Sequence, residues 1–256
     1  MINKIALVTG ATSGIGEETA LQLAASGYNV IITGRRINRL NKLAEQIKST
    51  CNVEVHILNF DIRNKEEVEQ AINTLPEEWR KIHLLVNNAG LAAGLSHIQD
   101  GSFEDWEQMI DTNIKGLLYI SRLIMPLMIE NGQGHIINIG SIAGKEVYEN
   151  GNVYCATKHA VDAITKGMRI DLLPHGIKVS SVSPGMVETE FSLVRFKGDE
   201  TQAANVYKGF EPLRATDIAE TVVWIATRPA HVNINDILIM PTAQANSTTA
   251  NRNKNT

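Results

Sequence analysis

The sequence predicts one α/β domain, a doubly wound parallel sheet of about seven strands with helices on both faces. Short apolar runs alternate with helix-period stretches along nearly the whole chain, and repeated βα units of this kind imply parallel strands crossed over by helices. A glycine-rich turn follows the first of these runs, where open α/β sheets place an anion-binding helix N-terminus. The 256 residues, 43% hydrophobic and 20% charged, supply enough apolar material for a sizeable core. No repeat, linker or composition break divides the chain, so residues 1–242 are read as a single domain.

Ile5-Ala6-Leu7-Val8 is the first strand, and Thr9-Gly10-Ala11-Thr12-Ser13-Gly14-Ile15-Gly16 leads into a helical pattern through Ala25. Strand, glycine turn and helix together offer free backbone N–H groups to phosphate. The spacing is G-x-x-x-G-x-G, distinct from the commonest dinucleotide fingerprint, and no Gly-Lys-Ser/Thr follows to make a P-loop. A second strand, Asn29 to Thr33, ends in Gly34-Arg35-Arg36. About 20 residues after the glycine turn an NAD site places an acid on the ribose 2′-hydroxyl, whereas arginines suit a 2′-phosphate by charge and by a bidentate fork. NADP is therefore expected over NAD. Arg35 and Arg36 also open a helix of about 37 to 49, where positive charge opposes the helix dipole; an anion nearby would resolve that conflict.

The alternation continues with a strand from Val53 to Asn59, Asp61-Ile62, a helix of about 64 to 74, and a strand from Ile82 to Val86 closed by Asn87-Asn88-Ala89-Gly90. Small and amide residues there let a ligand approach the backbone at the carboxyl edge of the sheet. Asp61 is placed either to accept from an adenine amino group or to cap the helix after it. Helices of about 103 to 112 and 113 to 130 precede a fifth strand, Gly134 to Ile139, which ends at Gly140-Ser141. The helix of about 152 to 173 is apolar or small on several sides, so one stripe packs on the sheet and another is expected to be covered by a symmetry mate. Lys178 to Val182 is a sixth strand, running into Ser183-Pro184-Gly185-Met186-Val187-Glu188-Thr189. The irregular stretch of about 188 to 212 reads as a mobile substrate lid. A helix of about 216 to 227 and a strand from Asp236 to Met240 complete the fold. Residues 243–256, rich in Asn, Thr and Ser, are expected to be disordered or ordered only on a neighbouring subunit.

Within this frame Tyr154 and Lys158, four apart on a helix, share one face, and Ser141 stands thirteen positions upstream. An unperturbed phenol titrates near pH ~10, and a cation beside it favours the ionised form. Such a tyrosine is a usable general acid or base near neutrality. The net charge of −4 gives no electrostatic case for nucleic acid or an anionic membrane, so a small-molecule substrate is favoured. The two cysteines, Cys51 and Cys155, have neither metal-ligand spacing nor a disulfide framework, which fits a reducing, cytoplasmic setting. None of the seven histidines shows ligand spacing, and no metal is expected. The chain enters a strand pattern within its first five residues, so no signal peptide is expected, and no apolar run approaches the ~18 residues of a membrane span.

Taken together, Thr9-Gly10-x-x-x-Gly14-Ile15-Gly16, Asn87-Asn88-Ala89-Gly90, Asn113, Ser141, Tyr154-x-x-x-Lys158 and Pro184-Gly185 stand in the order and spacing of the short-chain dehydrogenase/reductase family. The chain resembles that family up to about residue 242. The resemblance implies a Rossmann-type fold and a catalytic tetrad of Asn113, Ser141, Tyr154 and Lys158. Tyr154 would exchange a proton with the carbonyl or alcohol oxygen of the substrate, and Ser141 would hold that oxygen. Lys158 would bind the nicotinamide ribose and depress the tyrosine pKa, while Asn113 would maintain a kinked helix and a water leading to the lysine. Gly10, Ser13, Gly14, Ile15 and Gly16 would wrap the pyrophosphate, Arg35 and Arg36 the 2′-phosphate, Asp61 and Ile62 the adenine. Asn88, Ala89 and Gly90 would flank the riboses, with Pro184, Gly185, Val187 and Thr189 around the carboxamide. A homotetramer, paired through the long helices after the fourth and fifth strands, is implied as well.

A narrower likeness lies in Val194-Arg195-Phe196-Lys197-Gly198-Asp199, Arg228-Pro229-Ala230-His231-Val232-Asn233-Ile234-Asn235 and Gly140-Ser141-Ile142-Ala143-Gly144, which resemble NADP-dependent 3-hydroxy acid dehydrogenases acting on serine, L-allo-threonine and related acids. Such substrates carry a carboxylate, and Arg195 is the candidate to hold it, unless it pairs with a structural acid or a neighbouring subunit. A 3-oxoacyl carrier-protein reductase or a general carbonyl reductase is the alternative within the family. A non-catalytic NADP-binding sensor is the alternative outside catalysis, and such proteins typically lose the tyrosine or lysine that stand here.

Overall fold

A computed structural model of the chain describes residues 4–253. The first half runs β1 (Ile5–Val8), α1 (Gly14–Ala25), β2 (Asn29–Gly34), α2 (Ile37–Thr50), β3 (Val55–Asn59), α3 (Lys65–Asn73), β4 (Ile82–Asn87), α4 (Phe103–Ile110) and α5 (Leu117–Glu130). The second half runs β5 (His135–Ile139), α6 (Asn152–Asp171), β6 (Lys178–Pro184), β7 (Val187–Glu188), α7 (Glu190–Arg195), α8 (Glu200–Asn205), β8 (Leu213–Arg214), α9 (Ala215–Ala226) and β9 (Asp236–Ile239).

Seven strands form one sheet in the order β3-β2-β1-β4-β5-β6-β9, every neighbouring pair parallel. Successive residues of a strand point to opposite faces, so a strand covered on both sides must be apolar throughout. That is why β1 reads Ile-Ala-Leu-Val: Ile5 and Leu7 join one core with Val68 and Ile72 of α3, Ile120 and Ile124 of α5, and Val161 and Met168 of α6. Ala6 and Val8 join the other, with Leu23 of α1, Leu40 and Leu43 of α2, and Ile218 and Val222 of α9. The chain builds outward from β1 to β3, then returns to place β4 on the other side of β1. The loops after β1 and β4 therefore diverge at the carboxyl edge, and a crevice opens there.

Helices α4 and α5 do not simply abut. Residues Asp111–Gly116 between them wind as a π turn, a local widening of the kind that recurs at functional sites. Apolar side chains left exposed on this side include Phe103 of α4, Leu118 and Ile129 of α5, and Ile170 of α6, the last on the helix whose outer stripe the sequence leaves uncovered.

The described part of the tail makes specific contacts within the chain. Gln244 accepts from the Met186 backbone N–H through Oε1 at 2.8 Å, and the Ala245 N–H donates to the Thr249 carbonyl at 2.9 Å. Arg252 donates to the carbonyls of Lys208 and Val206 at 2.6 and 2.9 Å and lies over the Phe210 ring at 4.9 Å. Residues 244–253 thus make contacts within their own chain; composition alone hides this because the partners are mainly backbone groups. Residues 254–256 of that expectation lie outside the described residues.

Candidate active site

The crevice is built from the glycine turn upward. Gly10 has φ of +67°, and a Cβ there would come within 2.9 Å of the Ala89 Cα; the turn needs both the left-handed backbone and the missing side chain. Asn88 locks the two loops together, its Nδ2 donating to the carbonyls of Thr9 and Gly10 at 2.9 and 3.2 Å. Thr9 returns the contact by accepting the Asn88 and Ala89 N–H groups at its Oγ1, each at 3.0 Å. Gly16 does not line the crevice. It is buried inside the first turn of α1, where a Cβ would lie 2.3 Å from Asn88 Nδ2 and 2.4 Å from the Gly10 carbonyl oxygen, so it lets the helix close on the turn.

One cleft of about 330 Å³ runs from this turn to the end of β5. It is lined by Gly10, Ser13, Gly14, Ile15, Arg35, Arg36, Asp61, Ile62, Asn88, Ala89 and Gly90, and beyond them by Ser141, Tyr154, Lys158, Pro184, Gly185, Val187 and Thr189. Of the residues expected to act in catalysis or to bind cofactor or substrate, Gly16, Asn113 and Arg195 are not among those lining it. A cleft of this volume at the switch point of an open α/β sheet suits a nucleotide, and the left-handed Gly10 and the backbone approach it permits fit a pyrophosphate.

At the far end Tyr154 and Lys158 come from one face of α6, and both are buried. The Ser141 hydroxyl is near enough to the Tyr154 phenol to help hold down its pKa, and it accepts the Ala143 N–H at 3.1 Å, which fixes its orientation. Lys158 donates to the Ile139 carbonyl at 2.9 Å, and burial lowers its ammonium to about 8. Burial and the neighbouring Tyr148 push the Tyr154 phenol above its ordinary value, while Ser141 and the charge of Arg195 pull it down. The depression expected from Lys158 is not what this geometry gives: the lysine faces the end of β5, and the cation beside the phenol is Arg195. Asn113, within the π turn, bridges Leu91 through its N–H (2.9 Å) and carbonyl (2.8 Å) and donates to Thr157 Oγ1 at 3.0 Å. It therefore ties the turn after β4 to α6, one residue from Lys158.

Arg195 closes this end from α7. Its guanidinium lies 5.5 and 5.6 Å from the ring centroids of Tyr148 and Tyr154, and it donates to the Tyr148 hydroxyl at 3.0 Å and the Gly94 carbonyl at 3.3 Å. Its Nη2 is buried with no hydrogen-bond partner. Among the described residues Arg195 has no acidic partner. Phe191, also of α7, packs its ring 5.6 Å from that of Tyr154.

At the opposite end Arg36 donates Nε and Nη2 to Thr12 Oγ1 at 3.0 and 2.7 Å, and Nη2 also to Ser13 Oγ at 2.8 Å. Arg35 is largely exposed, its nearest acid Asp61 at 3.7 Å. The Asp61 carboxylate is held bidentately by Arg63; burial raises its pKa, but those bonds lower it further. Asp61 does not cap α3, because Asn64 does, accepting the N–H groups of Glu66 and Glu67. Two residues here escape sequence reasoning. Glu190 accepts from Arg36 at 3.0 Å and from Arg39 at 2.7 and 2.9 Å, and it is the anion that the basic start of α2 calls for. No motif could have revealed a pairing across 151 positions of sequence.

No cluster of His, Cys, Asp and Glu suited to a metal occurs among the described residues, and none of their helices is long and apolar enough to cross a membrane. A family model described as short chain dehydrogenase matches residues 4–199. Over 242 residues the chain is 48% identical to the NADP-dependent 3-hydroxy acid dehydrogenase YdfG of Salmonella typhi, covering 94% of this chain and 96% of that one. It is 45% identical over 245 residues to sulfoacetaldehyde reductase 2 of Chromohalobacter salexigens, covering 95% and 96%. Among solved structures, the closed form of a serine dehydrogenase complexed with NADP+ superposes with a TM-score of 0.91 at 44% identity, covering 98% of this chain and all of the other.

Proposed function

This chain belongs to the short-chain dehydrogenase family, and on that premise we propose that it is an NADP-dependent oxidoreductase interconverting a small 3-hydroxy acid, such as serine or L-allo-threonine, with its 3-oxo acid. The observation that carries the reading is that Ser141 and Tyr154 share the cleft wall beside the unpartnered buried Nη2 of Arg195, whose guanidinium lies 5.6 Å from the Tyr154 ring. One pair of hydroxyls can handle an alcohol or carbonyl oxygen, and beside it one nitrogen of a guanidinium lacks an acceptor. A buried donor without a partner costs about 1–3 kcal/mol, which a substrate carboxylate would recover.

NADP(H), when bound, supplies or accepts the hydride. Gly10, Ser13, Gly14 and Ile15 would hold its pyrophosphate, Arg35 and Arg36 its 2′-phosphate, Asp61 and Ile62 its adenine. Asn88, Ala89 and Gly90 would lie along its riboses, and Pro184, Gly185, Val187 and Thr189 along its carboxamide. Ser141 orients the substrate oxygen, and Tyr154, kept protonated at neutral pH by its burial, donates a proton to it during reduction. Lys158, charged below about 8, holds the ribose hydroxyls and replenishes that proton. Asn113 fixes the turn after β4 against α6. Residues 188–212 form the substrate lid, and Phe191 and Arg195 bring it against Tyr154. The exposed apolar side chains of α4, α5 and α6 are the contacts of a homotetramer, and the enzyme acts in the cytoplasm.

The substrate reading is tested by comparing wild type with Arg195→Met on a panel of 3-hydroxy acids, acyl thioesters and neutral short-chain ketones. A charge-assisted bond contributes about 1.5–3 kcal/mol, so KM for 3-hydroxy acids should rise roughly 10- to 150-fold. Ketone reduction should stay near the wild-type rate. Equal losses on acids and ketones would assign Arg195 to placement of Tyr154, and a wild type inert on every 3-hydroxy acid would remove the substrate class.

A further inference from the structure

The arginine cluster at the start of α2 contains an anion of the chain's own. Thr12, Ser13, Arg35, Arg36 and Glu190 all line the cleft, so Glu190 lies where the chain would otherwise meet a cofactor phosphate. The contacts of Arg36 divide by charge. Nε and Nη2 are held by the neutral hydroxyls of Thr12 and Ser13, and Nη1 by the Glu190 carboxylate at 3.0 Å. The hydroxyls alone keep the guanidinium on the glycine turn, so what Glu190 adds is a negative charge. Arg39 does not line the cleft, yet it holds both Glu190 oxygens at 2.7 and 2.9 Å. The carboxylate therefore keeps a partner when it yields Arg36.

Resting on the reading above that Arg35 and Arg36 take the 2′-phosphate, we propose that Glu190 sets how strongly the enzyme prefers NADP to NAD, by competing with the 2′-phosphate for Arg36. Arg35, Arg36 and Arg39 carry three positive charges against one on Glu190. A phosphate monoester of charge about −1.5 to −2 matches what remains, but it binds beside a carboxylate that repels it. A dinucleotide with a free 2′-hydroxyl meets no such repulsion. Glu190 thus lowers affinity for the phosphorylated cofactor alone. Because Glu190 is the first residue of α7, and Phe191 of the same helix packs on Tyr154, releasing Arg36 also loosens one of the two ties at the start of the helix that covers the catalytic tyrosine.

The test is direct titration of NADPH and NADH, followed by nucleotide fluorescence without substrate, into wild type and Glu190→Gln. A glutamine keeps the size and hydrogen-bonding reach of the side chain while removing its charge. NADPH should bind roughly three- to tenfold more tightly to the variant, an advantage that shrinks as salt is raised, and NADH affinity should not change. The added Arg39→Met change in a second variant leaves Glu190 to Arg36 alone. It should weaken NADPH binding in the wild-type background, and much of that loss should vanish when Glu190→Gln is also present. Unchanged or weaker NADPH binding in Glu190→Gln, or equal tightening of both nucleotides, would overturn the proposal. Wild type binding neither nucleotide would instead remove the dinucleotide reading on which it rests.

Discussion

Tyr154→Phe should lower the reduction rate by roughly 10²- to 10⁴-fold, the range a positioned general acid contributes, while NADPH binding stays close to wild type. The substitution removes one oxygen from a ring packed between Arg195 and Phe191, so the packing survives and the proton source does not. Rapid mixing with NADPH absorbance as the signal separates the two effects. A pH profile adds a second constraint. Lys158 is lowered to about 8, so it is charged below that value and neutral above it. Wild-type reduction should therefore hold level through neutrality and fall as pH rises past about 8, and Lys158→Met should lack that fall. The sign follows from the direction of the shift: an unperturbed lysine would place the same fall near ~10.4.

Arg35→Asp should reverse the nucleotide preference from the other end of the cleft. Arg35 is the least restrained of the three arginines, more than half exposed and only 3.7 Å from Asp61, and it has donors to spare for a phosphate. Removing one charge-assisted contact costs about 1.5–3 kcal/mol, so kcat/KM with NADP should fall roughly 10- to 150-fold, and the introduced carboxylate adds repulsion. Activity with NAD should be held or improved, because an acid at this point can accept from the ribose 2′-hydroxyl. If both cofactors behave as in wild type, the 2′-phosphate is not recognised at the end of β2.

Why some of this was legible in the sequence and some was not has a physical basis. The sheet was legible because strands covered on both faces are largely apolar: β1 reads so throughout, and β4 and β5 do apart from one histidine and one asparagine each. Tyr154 and Lys158 were legible because a spacing of four on a helix fixes a shared face whatever surrounds it. The direction in which Lys158 points was not, since it depends on the Ile139 carbonyl presented by a strand elsewhere in the chain. Glu190 and Arg39 were invisible for the same reason: their pairing exists only once α7 is laid across the start of α2. The tail's contacts were not legible because a polar composition argues for disorder, while the partners that Gln244 and Arg252 find are backbone groups that the composition does not reveal.

The central claim is that Ser141, Tyr154 and Lys158 move a proton beside a bound nicotinamide, and following the label from NADPH deuterated at the nicotinamide C4 tests it most directly. With a small 3-oxo acid such as acetoacetate, the wild type should give a 3-hydroxy acid carrying one deuterium at C3 by NMR, and Tyr154→Phe, with its NADPH still bound, should give almost none. Product without deuterium at C3, or labelled product formed equally fast by the phenylalanine variant, would contradict the account.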